Sequence, residues 1–555
     1  MKKHPVIWIL KRIRRRIPAI CLLVAAQVCH ALFCVFFALG SRGVIDSAVA
    51  GEPGAFFRAC GNQAAIIAVI LVSLTVMRHL KDRLSADLGW DWKQQLLHGL
   101  LHGDYAAVSQ YHSGELLNRL NNDVNRVNDG VLSILPGLAS MVTRLVAAVA
   151  VLGVLDARFT LVVVALGVLV VAATSLMRSR LKELNKQVSE MDGKVSGFLQ
   201  ETMEKLLMVQ AMDVSQEVEN RADRLLSDRY QILRKRKNVS LFTNTGISLM
   251  FYGVGFAALC WCGWRLLQGQ MTFGSLTAVI QLVNQLQNPF VSLSGVLPQY
   301  VAMTASAERL MELEEIQGEP APQPESPESL YRRLQTIEAR GVTFAYDRDV
   351  VLKGASFALP KGAFAVITGP SGIGKSTLLK LLLGIFRLEE GQLVLNCGGE
   401  DVVLDRSTRR LFAYVPQGNL LLSGSLRENL TIVRPEATEE ELRQALYVSA
   451  MEDYLPQLPE GLDTVLGESG AGLSEGQAQR LAIARAILGG APVLLLDECT
   501  SALDADTERK VLQRIKALPD RTCIAVTHRM AAAALSDWRL EVEGGKIHTW
   551  KSNRL

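Results

Sequence analysis

A chain of 555 residues is too long for one hydrophobic core, so several domains are required. Hydrophobic residues make up 49%, charged residues only 21%, and mean hydropathy is +0.20, a balance that excludes an ordinary soluble enzyme and points to membrane segments. A net charge of +4 does not suggest a nucleic-acid partner, and the nine cysteines, which lack metal-ligand or disulfide-framework spacing, read as small apolar residues.

The chain opens with an apolar stretch, residues 6–10, followed by a basic run, residues 11–16, which together predict a short amphipathic helix at the cytosolic membrane face. Residues 17–39 carry no formal charge and exceed the roughly 7 to 15 residues of a signal-peptide core, so they read as a first span. Further spans are predicted at 64–77 (extended towards Phe56), 134–155, 159–177, 247–267 and 273–301, six in all. Lys and Arg concentrate in 78–126 and 178–237, whereas the connections near Asp46, Asp156 and Gln268 are short or poor in cations. The N-terminus, both long loops and the C-terminal half are therefore expected in the cytosol.

Both long loops are charged yet keep apolar residues at helical spacing: Leu116, Leu120, Val124 and Val127 in one, Leu199, Met203 and Leu206 in the other. The spans should therefore continue as helices into the cytosol, with these stripes buried against the C-terminal half. On the last span Gln281, Asn284, Gln285 and Asn288 recur at i, i+3, i+4 and i+7, a polar stripe facing either neighbouring helices or a wet substrate cavity. Arg144 stands near the middle of the third span without an acidic partner in another. It is a candidate for meeting an anionic substrate group, with snorkelling or pairing to backbone carbonyls as the competing readings.

Residues 314–330 are charged, Pro-rich and without apolar periodicity. They form a linker between a helical membrane domain, 1–313, and a mixed α/β domain, 331–555. In the second domain the run Gly369-Pro370-Ser371-Gly372-Ile373-Gly374-Lys375-Ser376-Thr377 follows an apolar strand and opens a helix, the context of a phosphate-binding P-loop. Gly369, Ser371, Gly372 and Gly374 let backbone N–H groups converge on phosphates. Lys375 adds a point charge, and Ser376 and Thr377 supply hydroxyls, that of Ser376 being suited to Mg²⁺. A second apolar run, 493–496, ends in Asp497 and Glu498. Asp497 is placed to reach Mg²⁺ and Glu498 to orient or deprotonate an attacking water, so the pair reads as an NTPase.

Six motifs in order make the resemblance specific. The stretch Leu473-Ser474-Glu475-Gly476-Gln477 and the helical run after it resemble the signature of ATP-binding cassette (ABC) proteins. Tyr346 resembles their adenine-stacking aromatic, Gln417 in Tyr414-Val415-Pro416-Gln417 their Q-loop glutamine, Ser501-Ala502-Leu503-Asp504 their D-loop, and His528 their switch histidine. The loop 464–470 and the stretch 114–124 are similar to those of the exporter branch, so the resemblance covers nearly the whole chain.

The implied protein is a half-transporter: an all-α six-helix transmembrane domain fused to an α/β P-loop ABC ATPase domain, in a cell membrane, bacterial by expectation. Its cofactors are ATP and Mg²⁺, the metal being held by Ser376, Gln417 and Asp497, with Glu498, His528 and Gln417 as catalytic residues. Its partners are the lipid bilayer and a second half-transporter, a homodimer in preference to a heterodimer. Ser474, Gly476 and Gln477 of that second copy complete the ATP site, to which Asp504 also belongs. The implied cargo is an amphipathic or hydrophobic compound, peptide or lipid. Export is the expected direction, and because fold does not fix direction, import, as of siderophores, and an ATP-gated channel or regulator stand as alternatives.

Overall fold

The computed structural model describes residues 4–316, 318, 326–346, 349–418, 421–458, 460–467 and 472–552, with the backbone alone at 166–179, 247, 287–294, 297, 530 and 531. Residues 317 and 319–325 of the linker and Glu468–Gly470 of the exporter-like loop thus lie outside the described residues. The chain divides into two compact units, residues 1–98 with 113–315, and residues 99–112 with 316–555.

The helices of the N-terminal half are α1 (Pro5–Arg12), α2 (Ile17–Val49), α3 (Pro53–His102), α4 (Tyr105–Val108), α5 (Ser113–Asn118), α6 (Val124–Leu155), α7 (Ala157–Glu204), α8 (Leu206–Ala211), α9 (Ser215–Leu267) and α10 (Phe273–Glu314). Six of these described helices are long: α2, α3, α6, α7, α9 and α10. Each contains one predicted span and runs well beyond it, because the helical backbone continues into water where the apolar pattern gives way to charge. Helix α1 packs Trp8 edge-on against Trp92 at 5.2 Å, and Arg12 pairs with Glu314 at 2.6 Å.

Acidic residues fasten the short connections. Asp156 caps α7 by accepting from the backbone of Arg158 and Phe159, both at 3.1 Å, and also from Trp261 Nε1 at 3.0 Å and Arg265 Nη1 at 2.6 Å. Asp46 accepts from Gly274 N at 2.9 Å and Thr272 Oγ1 at 3.0 Å, joining the end of α2 to the start of α10. A Cβ on Gly274 would lie 2.4 Å from the carbonyl of Arg42, so this approach requires glycine.

The stretch between α3 and α6 contains a π-helical turn, Arg119–Asp123, after α5. It turns Asp123 fully inward, where its oxygens accept from Ser306 Oγ at 2.8 Å and from Arg309 Nε and Nη2 at 2.8 and 2.5 Å. Val124 and Val127 of the predicted stripe are buried beside it, whereas Leu199, Met203 and Leu206 are exposed.

The second unit contains α11 (Pro327–Arg333), β1 (Thr336–Tyr346), β2 (Asp349–Pro360), β3 (Phe364–Thr368), α12 (Lys375–Leu382), β4 (Glu390–Asn396), β5 (Asp401–Val403), β6 (Phe412–Val415), β7 (Gly424–Ser425), α13 (Leu426–Thr431) and α14 (Glu439–Val448). It continues with β8 (Val465–Leu466), α15 (Glu475–Leu488), β9 (Val493–Asp497), α16 (Ala505–Lys516), β10 (Thr522–Val526), α17 (Met530–Leu535), β11 (Trp538–Glu543) and β12 (Lys546–Lys551). An antiparallel sheet runs β2-β1-β4-β5, and the main sheet runs β12-β11-β3-β10-β9-β6. In the main sheet all strands but β12 are parallel. Strands β9 and β10 are buried along their whole length, which explains their unbroken apolar runs. One core, including Ile337, Ile367, Leu378 and Leu495, fills one face of the main sheet. A second, including Leu446, Leu481 and Leu496, fills the other beneath α14 and α15.

Burial pushes the Asp123 carboxyl up, but the hydrogen bonds from Arg309 and Ser306 outweigh it and hold the group below the usual carboxylate range. Its stabilising contribution is therefore present above that range and lost as pH falls through the depressed value. Replacing Asp123 with Asn should cost about 2 kcal/mol, less than a fully enclosed pair because Arg309 is partly exposed. A thermal melt of the purified protein at pH 7 and pH 3 checks this: the variant should melt below the parent at pH 7 and approach it at pH 3.

Candidate functional site

The loop between β3 and α12 closes tightly. Gly369, Gly372 and Gly374 have φ of +144°, +79° and +108°. A Cβ would lie 2.7 Å from the Val542 carbonyl at Gly369 and 2.2 Å from Val351 at Gly374, whereas at Gly372 it would meet open space. Only glycine fits under the loop, and its outer side is an open cradle. Ser371 is exposed at that side. The Lys375 side chain is buried, and its Nζ donates to the carbonyls of Gly369 at 3.0 Å and Pro370 at 2.8 Å, so its charge is pinned over the loop. Thr377 Oγ1 lies 3.4 Å from the hydroxyl of Tyr346, which places that ring beside the first turn of α12.

The order β3-β10-β9-β6 sets four strand ends in a row. The phosphate loop leaves β3, His528 follows β10, Asp497 and Glu498 end β9, and Gln417 follows β6. This row is the crevice outside the carboxyl ends of parallel strands. Ser376 Oγ donates to Asp497 Oδ1 at 2.8 Å, tying α12 to β9. Glu498 takes a left-handed backbone, φ +48°, held by its N–H donating to the Val526 carbonyl at 3.0 Å. Its carboxylate accepts from Gln417 Nε2 at 3.0 Å and lies 3.4 Å from His528 Nε2. A carboxylate oriented from two sides is suited to aligning a water or accepting its proton.

Tyr414 was not singled out by the sequence. Its hydroxyl donates to Asp497 Oδ2 at 3.0 Å, and burial together with the Asp497 carboxylate pushes the phenol well above its ordinary value, so it remains a donor. The signal was its place on the strand just before Gln417. A divalent cation fits here: Ser376 and Asp497 bring a hydroxyl and a nearly buried carboxylate together beside the cradle, the hard oxygen donors that magnesium prefers. Cys499 is buried and its thiol is pushed up to about 12, so it serves as a small apolar residue.

Ser474 caps α15 in a reciprocal box with Gln477, at 2.7 and 3.3 Å. A Cβ on Gly476 would lie 2.9 Å from the Ala502 carbonyl. Among the described residues no hydrogen bond or ion pair joins Ser474, Gly476 or Gln477 to the phosphate loop. Buried Gln479, also missed from the sequence, binds Ser501 Oγ and Ala502 N, both at 3.1 Å, so the signature helix holds the segment after Glu498. Arg529 donates to the carbonyls of Leu503 and Ser501 at 2.6 and 2.5 Å. Asp504 caps α16 by accepting from Thr507 N at 2.9 Å, and bonds to Thr507 hold its carboxyl below the usual range.

In the helical unit Arg144 on α6 and Gln281 and Gln285 on α10 are half-buried and Asn284 is exposed, while the side chain of Asn288 lies outside the described residues.

A family model described as the ABC transporter transmembrane region matches residues 17–290, and one described as ABC transporter matches 352–501. The chain is 36% identical over 324 residues to the mitochondrial iron-sulfur clusters transporter ATM1 of Yarrowia lipolytica, covering 56% of this chain and 45% of that protein. It is 32% identical over 370 residues to the ATP-dependent lipid A-core flippase of Desulfotalea psychrophila, covering 66% and 64%. These alignments thus span between about half and two thirds of the relatives' own length. The structure of a bacterial Atm1-family ABC exporter with ATP bound superposes with a TM-score of 0.77 over 97% of this chain and 95% of that one, at 24% identity, and so shares the fold. With both models matched in one polypeptide, a helical transmembrane region followed by an α/β nucleotide-binding domain, the chain is a multi-pass membrane protein and belongs to the ABC transporter family.

Proposed function

We propose that two copies of this chain form an ATP-driven pump that moves an amphipathic compound out of the cytosol across a bacterial cell membrane. The observation that carries this reading is Glu498, held by Gln417 and set near His528 at the strand edge next to the phosphate loop, in the same chain as long apolar helices. The relatives' printed roles, an iron-sulfur clusters transporter and a lipid A-core flippase, support transport as the outcome.

In this reading Tyr346 stacks on adenine, the loop Gly369–Gly374 and Lys375 hold the phosphates, and Glu498 receives the proton of the attacking water while His528 and Gln417 keep it oriented. Ser376, Asp497 and Gln417 would hold magnesium, which neutralises charge on the β and γ phosphates. Ser474, Gly476 and Gln477 act on the partner's nucleotide, and Asp504 positions the segment between the two sites. Support for a second copy comes from the apolar surface around α8, where Met203, Leu207 and Met212 are 63%, 81% and 65% exposed.

The test is ATPase and transport measurement in reconstituted vesicles. Glu498→Gln should retain ATP binding while slowing hydrolysis by about 10²-fold or more. Turnover at the parent rate would sink the assigned role. Lys375→Ala should weaken ATP binding about tenfold or more, the loss of a charged hydrogen-bond donor to phosphate, read by equilibrium titration with a fluorescent ATP analogue. Chemical cross-linking of the intact protein should trap a dimer, and a solely monomeric species would overturn the paired arrangement.

A further inference from the structure

Helices α2, α6 and α10 of the membrane unit pack on one another. Val35, Ala148, Leu282 and Leu286 make part of their dry seam. Beside that seam the same helices carry Arg144, His30, Cys34, Gln281 and Gln285, a polar group that the ATP chemistry does not use.

Arg144 lies roughly 15 Å from either end of the apolar stretch 134–155 at 1.5 Å per residue, farther than its side chain extends. That distance disfavours snorkelling to a membrane surface. Its Nε is enclosed without a hydrogen-bond partner, and among the described residues its guanidinium makes no hydrogen bond or ion pair. His30 and Cys34 stand on α2, which packs against α6. Both are engaged elsewhere: His30 Nδ1 with Ser73 Oγ at 3.2 Å, and its Nε2 with Cys34 Sγ at 3.7 Å. Gln285 Nε2 donates to the Cys34 carbonyl at 2.8 Å, which fixes the amide, yet its Oε1 is enclosed without a partner, as is Oε1 of Gln281. The group therefore holds one positive charge with no described carboxylate on it, and two amide carbonyls with no donor. In an apolar unit such a set is costly unless something completes it.

We propose that Arg144, on the helix packed against those that carry Cys34 and Gln285, is the recognition point for an oxyanion, a carboxylate or phosphate, at the polar end of the transported compound. Gln281 and Gln285 accept a hydroxyl or amide N–H beside that oxyanion, and the surrounding apolar helices receive its hydrophobic part. The proposal rests on the transporter reading above and names the chemistry of its cargo. It also replaces the alternative of a purely structural polar stripe on α10 with a site shared by three helices.

Cys34 provides a reporter that needs no turnover. The intact protein in phosphatidylcholine nanodiscs is treated with an anionic sulfonatoethyl or a cationic trimethylammonioethyl methanethiosulfonate, and labelling of Cys34 is followed by peptide mass spectrometry, with exposed Cys21 as the internal reference. The Arg144 charge should favour the anionic reagent at Cys34 about tenfold over its ratio at Cys21. Arg144→Gln should abolish the preference and Arg144→Lys should keep it. Dodecyl phosphate or dodecanoate, but not dodecanol, should slow the labelling, and the better of the two anions identifies the oxyanion. An unlabelled Cys34, a reagent ratio equal to that at Cys21, or equal protection by dodecanol would each overturn the proposal. If Arg144→Gln does not fold, the lysine variant and the protection of the parent protein still decide. Failure of the transporter reading is distinguishable, because it would show as absence of ATPase activity in the parent protein whatever the labelling.

Discussion

The carboxyl edge of four adjacent parallel strands, β3, β10, β9 and β6, is the constraint on which the nucleotide unit depends. Parallel strands lie about 4.8 Å apart, so the loops that leave them stand within side-chain reach of one another. For that edge to be rigid the strands must be buried on both faces. The sequence meets this requirement with charge-free runs that change to polar residues where each strand ends, at Asp497 and Thr527. The Ser376–Asp497 bond then fixes α12 to β9, and the Tyr414 hydroxyl fixes the second oxygen of Asp497 from the neighbouring strand. Glu498 adopts a backbone that non-glycine residues disfavour, and its N–H bond to Val526 helps maintain that conformation.

A second level of organisation couples the signature helix to this edge within one chain. Gln479 reaches from α15 to Ser501 and Ala502, and Arg529, next to His528, holds the carbonyls of Ser501 and Leu503. The segment following Glu498 is thus gripped from two elements far apart in sequence. A shift of α15 would be felt at that segment through hydrogen bonds rather than through loose packing.

The helical unit solves a different problem with similar means. Helices satisfy their own backbone in lipid, so the remaining polar work falls at their ends and in their extensions beyond the apolar stretches. Asp46, Asp156 and Asp123 perform it, each binding donors from elements separated by more than a hundred residues. Arg144 departs from this pattern, being a charge at mid-span with no described carboxylate partner.

Much of this was legible in the chain itself. Contiguous motifs carry their own local physics, so the glycine-rich turn after β3, the carboxylate-ended strand, the capped helix α15 and the six apolar stretches could be read directly. Helix lengths could not: hydropathy detects only the lipid-facing part, and the stretch read as 64–77 belongs to a helix spanning Pro53–His102. Nor could any feature that pairs distant residues. The insertion of β10 between β3 and β9, which brings His528 to Glu498, is a choice of strand order. The Tyr414–Asp497 bond, the Gln479 grip, the π-helical turn that buries Asp123 under Arg309, and the bonds of His30 to Ser73 and of Gln285 to the Cys34 carbonyl likewise depend on how elements pack. Local sequence determines which elements form and what chemistry they carry, because propensity and periodicity act over a few residues. Tertiary structure alone decided which of those residues meet, because that depends on burying all the apolar faces at once.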